Sequence, residues 1–138
     1  EEIHHGYIQG FVGATSRRDL KPVLEMLFAD RGLVSRKLVD DLLKYKRLDG
    51  VDEALRALSA SLFAGGRQAG LLAGPIADAK PPTLVVWGEE DRVIPAAHAR
   101  ALAGTAQVAV LPGAGHMVQM EAAGKVNALL KDHIAKAD

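Results

Sequence analysis

The sequence predicts an α/β fold in which a block of helices precedes a parallel strand–helix–strand unit. Three observations carry that expectation. Thr83–Trp87 is a short run of β-branched, aliphatic and aromatic residues closed by Gly88, the pattern of a buried strand. Gln107–Leu111 is a second apolar run, stopped by Pro112-Gly113. Between them Pro95 sits where a helix can use a residue lacking an N–H, and Ala96–Ala103 is good helix former throughout. A strand, a crossover helix and a second strand normally pair in parallel with a right-handed connection.

Taken in order, residues 1–15 place Tyr7, Ile8, Phe11 and Val12 among Gly6, Gly10 and Gly13, which fits a short helix or an irregular connector. The start, EEIHHGY, reads as a chain entered midway, and His4-His5 as a solvent-exposed pair too short for a metal site. From Ser16 the pattern turns helical. Leu20, Val23, Leu24, Leu27 and Phe28 recur at three- and four-residue spacing, Ser16 or Asp19 can cap the start, and Asp30-Arg31-Gly32 closes the element. Ser35 caps a second helix to about Arg47, with Leu38, Val39, Leu42 and Leu43 on its apolar stripe and Asp49-Gly50 as its break. Asp52 is the expected cap of a third, through about Phe63, with Ala54, Leu55, Leu58 and Leu62 on one face and Gly65-Gly66 as its stop. Residues 67–80 carry a short Ala/Gly-rich helix, and Ala122–Ala137 forms the last one, with Val126, Leu129, Leu130 and Ile134 on its buried side.

This order has a chemical consequence. In a parallel sheet the loops after both strands emerge at one edge, where open α/β sheets place their sites. Asp91 follows Gly88 by three residues and His116 follows Leu111 by five, so a carboxylate and an imidazole meet at one rim. A carboxylate on one ring nitrogen fixes the tautomer and steadies the imidazolium, leaving the other nitrogen to take a proton from a nucleophile. These are two of the three parts of a nucleophilic triad. The blander readings are a polar loop histidine after a Pro-Gly turn, and a turn or cap acid chosen from Glu89, Glu90 and Asp91.

VVWGEEDRVIP followed by LPGAGHMVQME resembles the acid and histidine segments of an α/β-hydrolase, in the usual order of acid before histidine. The upstream stretches GYIQGFVGATSRRDLKPVLEMLFAD and GLVSRKLVDDLLKYKRLDGVDEALRALSASLF are similar to the helical cap of one such family. That family is the dihydrolipoamide acetyltransferase component of bacterial acetoin dehydrogenase complexes. The resemblance covers nearly the whole chain. It implies a partial α/β-hydrolase fold, with residues 1–66 as a helical cap (lid) and residues 67–138 as the C-terminal part of the core, holding its last two parallel strands and flanking helices. It implies Asp91 and His116 as catalytic residues, with coenzyme A and a lipoyl group as substrates of the parent and no cofactor bound by this chain.

The resemblance also shows what is absent. Ser16, Ser35, Ser59 and Ser61 are the only serines, and none has the flanking glycines of a GxSxG nucleophile elbow. The chain therefore reads as inactive alone, because triad members act as a unit. Its expected partner is the remaining half of the hydrolase domain, or a second copy paired edge to edge, with the parent's lipoyl domain as a further one. Rival readings are an esterase or a carbon–carbon bond hydrolase on the same fold, or a non-catalytic assembly fragment.

Composition excludes several classes. Formal net charge is zero and charged residues make up 25%, which argues against a nucleic-acid partner. With no cysteines there is neither a disulfide framework nor thiol chemistry, which fits a cytoplasmic protein. No apolar run approaches the roughly 20 residues of a membrane span, and no signal peptide is visible. Lys44, Lys46 and Arg47 beside Tyr45 read first as a solvated helix face, and second as a dock for coenzyme A phosphates or an acidic lipoyl domain. Arg17-Arg18 reads the same way. Trp87 is expected in the core, Glu121 in a structural hydrogen bond, and His98 and His133 as exposed bystanders.

Overall fold

The computed structural model describes residues 3–63, 68, 70 and 73–137. Four helices come first: α1 (His5–Gly13), α2 (Arg17–Glu25), α3 (Arg36–Lys46) and α4 (Val51–Leu62), with a 3₁₀ turn at Arg31–Leu33. Then follow α5 (Ala73–Ala79), β1 (Leu84–Gly88), α6 (Ala97–Arg100), β2 (Gln107–Leu111), α7 (Val118–Glu121) and α8 (Ala123–Ala137). The predicted Gly65-Gly66 stop lies outside the described residues.

Local chemistry explains most boundaries. The Ser16 hydroxyl accepts from the backbone N–H of Asp19, and the Ser35 hydroxyl from that of Leu38, so both serines cap their helices. Pro22 lies inside α2, beyond its first turn, and offers no N–H to the Arg18 carbonyl, so the helix runs through it with one bond fewer. Asp52 does not cap α4. Gly50 takes the cap position at φ 78°, in the left-handed region open to glycine, and Asp52 lies in the first turn, where it pairs with Arg56.

The first three helices share one core, to which α4 contributes no buried residue. Leu20, Leu24, Phe28, Val34, Val39 and Leu43 are buried together, with Phe11, Leu27, Leu38, Leu42 and Met117 packed against them. Met117 comes from the loop after β2, so this core reaches into the strand half of the chain. Lys46, expected on a solvated face, is buried. Its ammonium donates to the carbonyls of Phe11 (2.6 Å) and Val12 (3.3 Å) and sits 4.8 Å from the Phe11 ring centre, closing the end of α1.

The strands pair in parallel, Leu84 with Gln107 through Gly88 with Leu111. Val86 faces Val118 and Val126, the buried anchors of α7 and α8. The crossover is shorter than the eight residues of Ala96–Ala103, since only Ala97–Arg100 is helical and only Ala99 in it is buried. An alanine-rich segment has little side chain to pack, and short helices depend on packing. Residues 84–87 are only half-buried, although parallel strands are ordinarily covered on both faces. Leu58 and Leu62 on α4, and Leu130 and Ile134 on α8, are exposed despite being expected on buried stripes.

Candidate functional site

Asp91 and His116 meet at the carboxyl edge of the two strands. Asp91 Oδ2 lies 2.9 Å from His116 Nδ1. Asp91 Oδ1 accepts from the backbone N–H groups of Val93 (2.8 Å) and Ile94 (2.9 Å), so both oxygens are committed. The aspartate side chain is 2% exposed and that of the histidine 31%. Burial alone would raise the Asp91 carboxyl, but hydrogen bonds from His116, Ile94 and Val93 outweigh it and hold the group below its ordinary value. An ionised carboxylate only accepts, so Nδ1 carries the proton and Nε2 is left as the base. The neighbouring acids are otherwise employed. Glu89 pairs with Arg100 at 2.9 Å, and Glu90 accepts from the N–H of Gly113 at 2.9 Å.

The two loops touch because Gly88 has no side chain. A Cβ there would fall 2.0 Å from the carbonyl oxygen of Gly115 and 2.4 Å from that of Ala114. Glu90 N–H donates to the Ala114 carbonyl across the same gap.

A second set of contacts ties the site to the helices. Glu121 accepts from the N–H groups of Gly115 (2.6 Å), Ala29 (2.8 Å) and Asp30 (3.1 Å). Met117 N–H donates to the Leu27 carbonyl, and Arg92 donates to the Phe28 carbonyl at 2.6 Å. Residues 27–30 therefore hold the acid loop through Arg92 and the histidine loop through Glu121. Sequence reasoning placed Glu121 in a structural bond but missed Arg92 and the backbone it grips. Backbone acceptors more than 60 positions away leave no signal in side-chain spacing.

A cavity of about 190 Å³ opens beside the pair, lined by Trp87, Asp91, His116, Val118 and Gln119 among others. Trp87 is half-buried in its wall, and its indole N–H donates to the Ile94 carbonyl at 3.1 Å. Among the described residues, His116 makes no other side-chain hydrogen bond. The serines lie in the helical half, Ser16 and Ser35 as caps and Ser61 bonded to the Leu58 carbonyl. Among the described residues no acidic or histidine cluster suits a metal ion, and no helix is long and apolar enough to cross a membrane.

Residues 5–129 match the model of the Alpha/beta hydrolase family. The chain belongs to that family. Over 134 residues it is 57% identical to the dihydrolipoyllysine-residue acetyltransferase component of the acetoin cleaving system of Cupriavidus necator, covering 97% of this chain and 36% of that protein. The corresponding component of Pseudomonas putida is 51% identical over 137 residues, with 96% of this chain and again 36% of the relative covered. The chain thus spans about a third of the length of these relatives. Among solved structures, the meta-cleavage product hydrolase CumD of Pseudomonas fluorescens IP01 superposes with a TM-score of 0.83 at 21% identity, over 100% of this chain and 52% of that one. This hydrolase-family chain accordingly carries the fold of one half of such an enzyme, a helical layer and a two-stranded parallel sheet.

Proposed function

We propose that this chain is the acid–histidine half of an acyltransferase that moves an acetyl group between a lipoyl thioester and coenzyme A. The observation that carries the reading is the Asp91–His116 pair, set by a buried, fully hydrogen-bonded carboxylate at the sheet edge. The identity to two acetoin-system acetyltransferase components supplies the substrate class.

In this reading a serine from the rest of the hydrolase domain attacks the acyl carbon. His116 takes its proton through Nε2 and gives it to the leaving thiolate, then takes the proton of the entering thiol and returns it to the serine oxygen as the acyl group departs, while Asp91 orients the ring and stabilises its charged form. The helices α1–α4 act as the lid that admits substrate and limits water, which matters because hydrolysis competes with transfer. The same half-domain supplies the strand that pairs with the free edge of β1. The 138-residue chain alone, without nucleophile or oxyanion donors, performs no acyl transfer.

The test is an acetyl-transfer assay on the complete protein, with acetyl-coenzyme A and dihydrolipoamide, run beside hydrolysis of a simple ester and of a vinylogous diketone. Transfer that falls by about 10⁴-fold or more in His116→Ala supports the reading. Efficient cleavage of the diketone without transfer would instead make it a carbon–carbon bond hydrolase.

A further inference from the structure

Two basic pairs that lie 26 to 30 positions apart in sequence share one cavity. Arg17 and Arg18 open α2, and Lys44 and Arg47 lie at the end of α3. The start of α2 packs beside the second half of α3, and all four side chains line a cavity of about 470 Å³ together with Thr15 and Asp40. That volume is in the range that takes small molecules.

The charges are unbalanced. Asp40, the sole acid of the lining, is held by the guanidinium of Arg17 and is also approached by Arg36 at 3.9 Å. Lys44 has only a 4.0 Å contact to Asp41, whose other oxygen is bonded to Lys37. Arg18 and Arg47 form no ion pair among the described residues. In a chain of zero net charge, this is a local excess of cations around a concavity, where low-dielectric walls concentrate the field. Guanidinium forks match phosphate oxygens two at a time, and a threonine hydroxyl adds a donor. Several separate cations suit an anion with several charges. A concave wall suits a small molecule better than the flat face of an acidic protein domain. Lys46, adjacent in sequence, takes no part, because it is buried against α1.

We propose that this cleft between α2 and α3 binds a multiply phosphorylated small molecule, with Arg18 and Arg47 as its principal contacts. The ligand assigned to it is the phosphate end of coenzyme A, an identity that rests on the acyl-transfer reading, whereas the anion site rests on the charges alone.

Isothermal titration of the full chain with coenzyme A, dephospho-coenzyme A, pantetheine and inorganic pyrophosphate tests this. Coenzyme A and pyrophosphate should bind, pantetheine should not, and added salt should weaken both interactions. The double variant Arg18→Glu/Arg47→Glu should lose about tenfold or more in affinity, and Lys131→Glu on α8 should lose none. Arg18→Gln/Arg47→Gln gives the same readout if charge reversal unfolds the helices, with the thermal melt by circular dichroism as the check on folding. Absence of binding by any phosphate probe at millimolar concentration overturns the site, as does binding that both double variants retain. Binding of an isolated lipoyl domain with no small phosphate bound overturns it too. Pyrophosphate binding without coenzyme A binding keeps the site and removes the coenzyme assignment. Phosphate binding by this chain, together with a complete protein that fails to transfer acetyl groups, keeps the site while refuting the acyltransferase.

Discussion

Asp91 has no spare acceptor directed at solvent, and this decides how a small change there propagates. In Asp91→Asn one end of the amide must present N–H to donors, either the backbone pair at Val93 and Ile94 or the ring nitrogen of His116. The ring then loses its tautomer. In the complete enzyme we expect a fall of about 10⁴ in kcat with a smaller change in KM, read from steady-state kinetics. The carboxyl also links folding to pH. Its folded value lies below the unfolded one, so its stabilisation is present above about pH 4 and is lost as pH falls through the lowered value. Melts of the wild type and Asp91→Ala should therefore differ at neutral pH and converge in acid. Glu121→Gln places an amide donor against one of three N–H groups, and should cost about 1–3 kcal/mol in urea unfolding. An unchanged midpoint would show that Glu121 does not hold the loops.

At the scale of elements, what was legible in the sequence followed from local rules. Ser16 and Ser35 mark the starts of α2 and α3 because a hydroxyl at that place has an N–H to accept, and the structure puts both to that use. Thr83–Trp87 and Gln107–Leu111 read as strands because apolar runs bounded by glycine and proline have few alternatives, and the strands found are Leu84–Gly88 and Gln107–Leu111. Where several local choices compete, reading failed. Gly50 and Asp52 can both begin α4, and backbone geometry favoured the glycine. Gly50→Ala should accordingly cost about 1 kcal/mol through its positive φ, seen as a lowered Tm. The burial of Lys46 was illegible for another reason: its partners are carbonyls of a helix 34 and 35 positions earlier. Lys46→Met keeps the stem and removes the donor. A loss of about 1–2 kcal/mol is expected by denaturant melt, from two carbonyls left without a partner.

For the whole molecule, the pairing of acid and histidine was readable because parallel strands deliver both loops to one edge, a property of topology and not of contacts. The outward faces were not readable. Amphipathic spacing says that Leu58, Leu62, Leu130 and Ile134 form stripes, but not what covers them, and among the described residues all four stay exposed. Two strands make a marginal sheet, and its half-buried residues offer an open edge. We expect the purified chain to associate with itself at micromolar concentration, and to form a one-to-one complex when the remaining half of the domain is supplied. Light scattering after size exclusion reads both, and a stable monomer with a sharp melt would refute the expectation.

Residues 27–30 bear on motion. The stretch between α2 and the 3₁₀ turn is stitched on one side to Arg92 and on the other to Glu121 and Met117. A shift of α2 cannot leave the acid and histidine loops behind, since both loops are fastened to the same four residues. The root of the helical layer is thus an anchor, and any swing of that layer must pivot about it with the far ends of the helices travelling most.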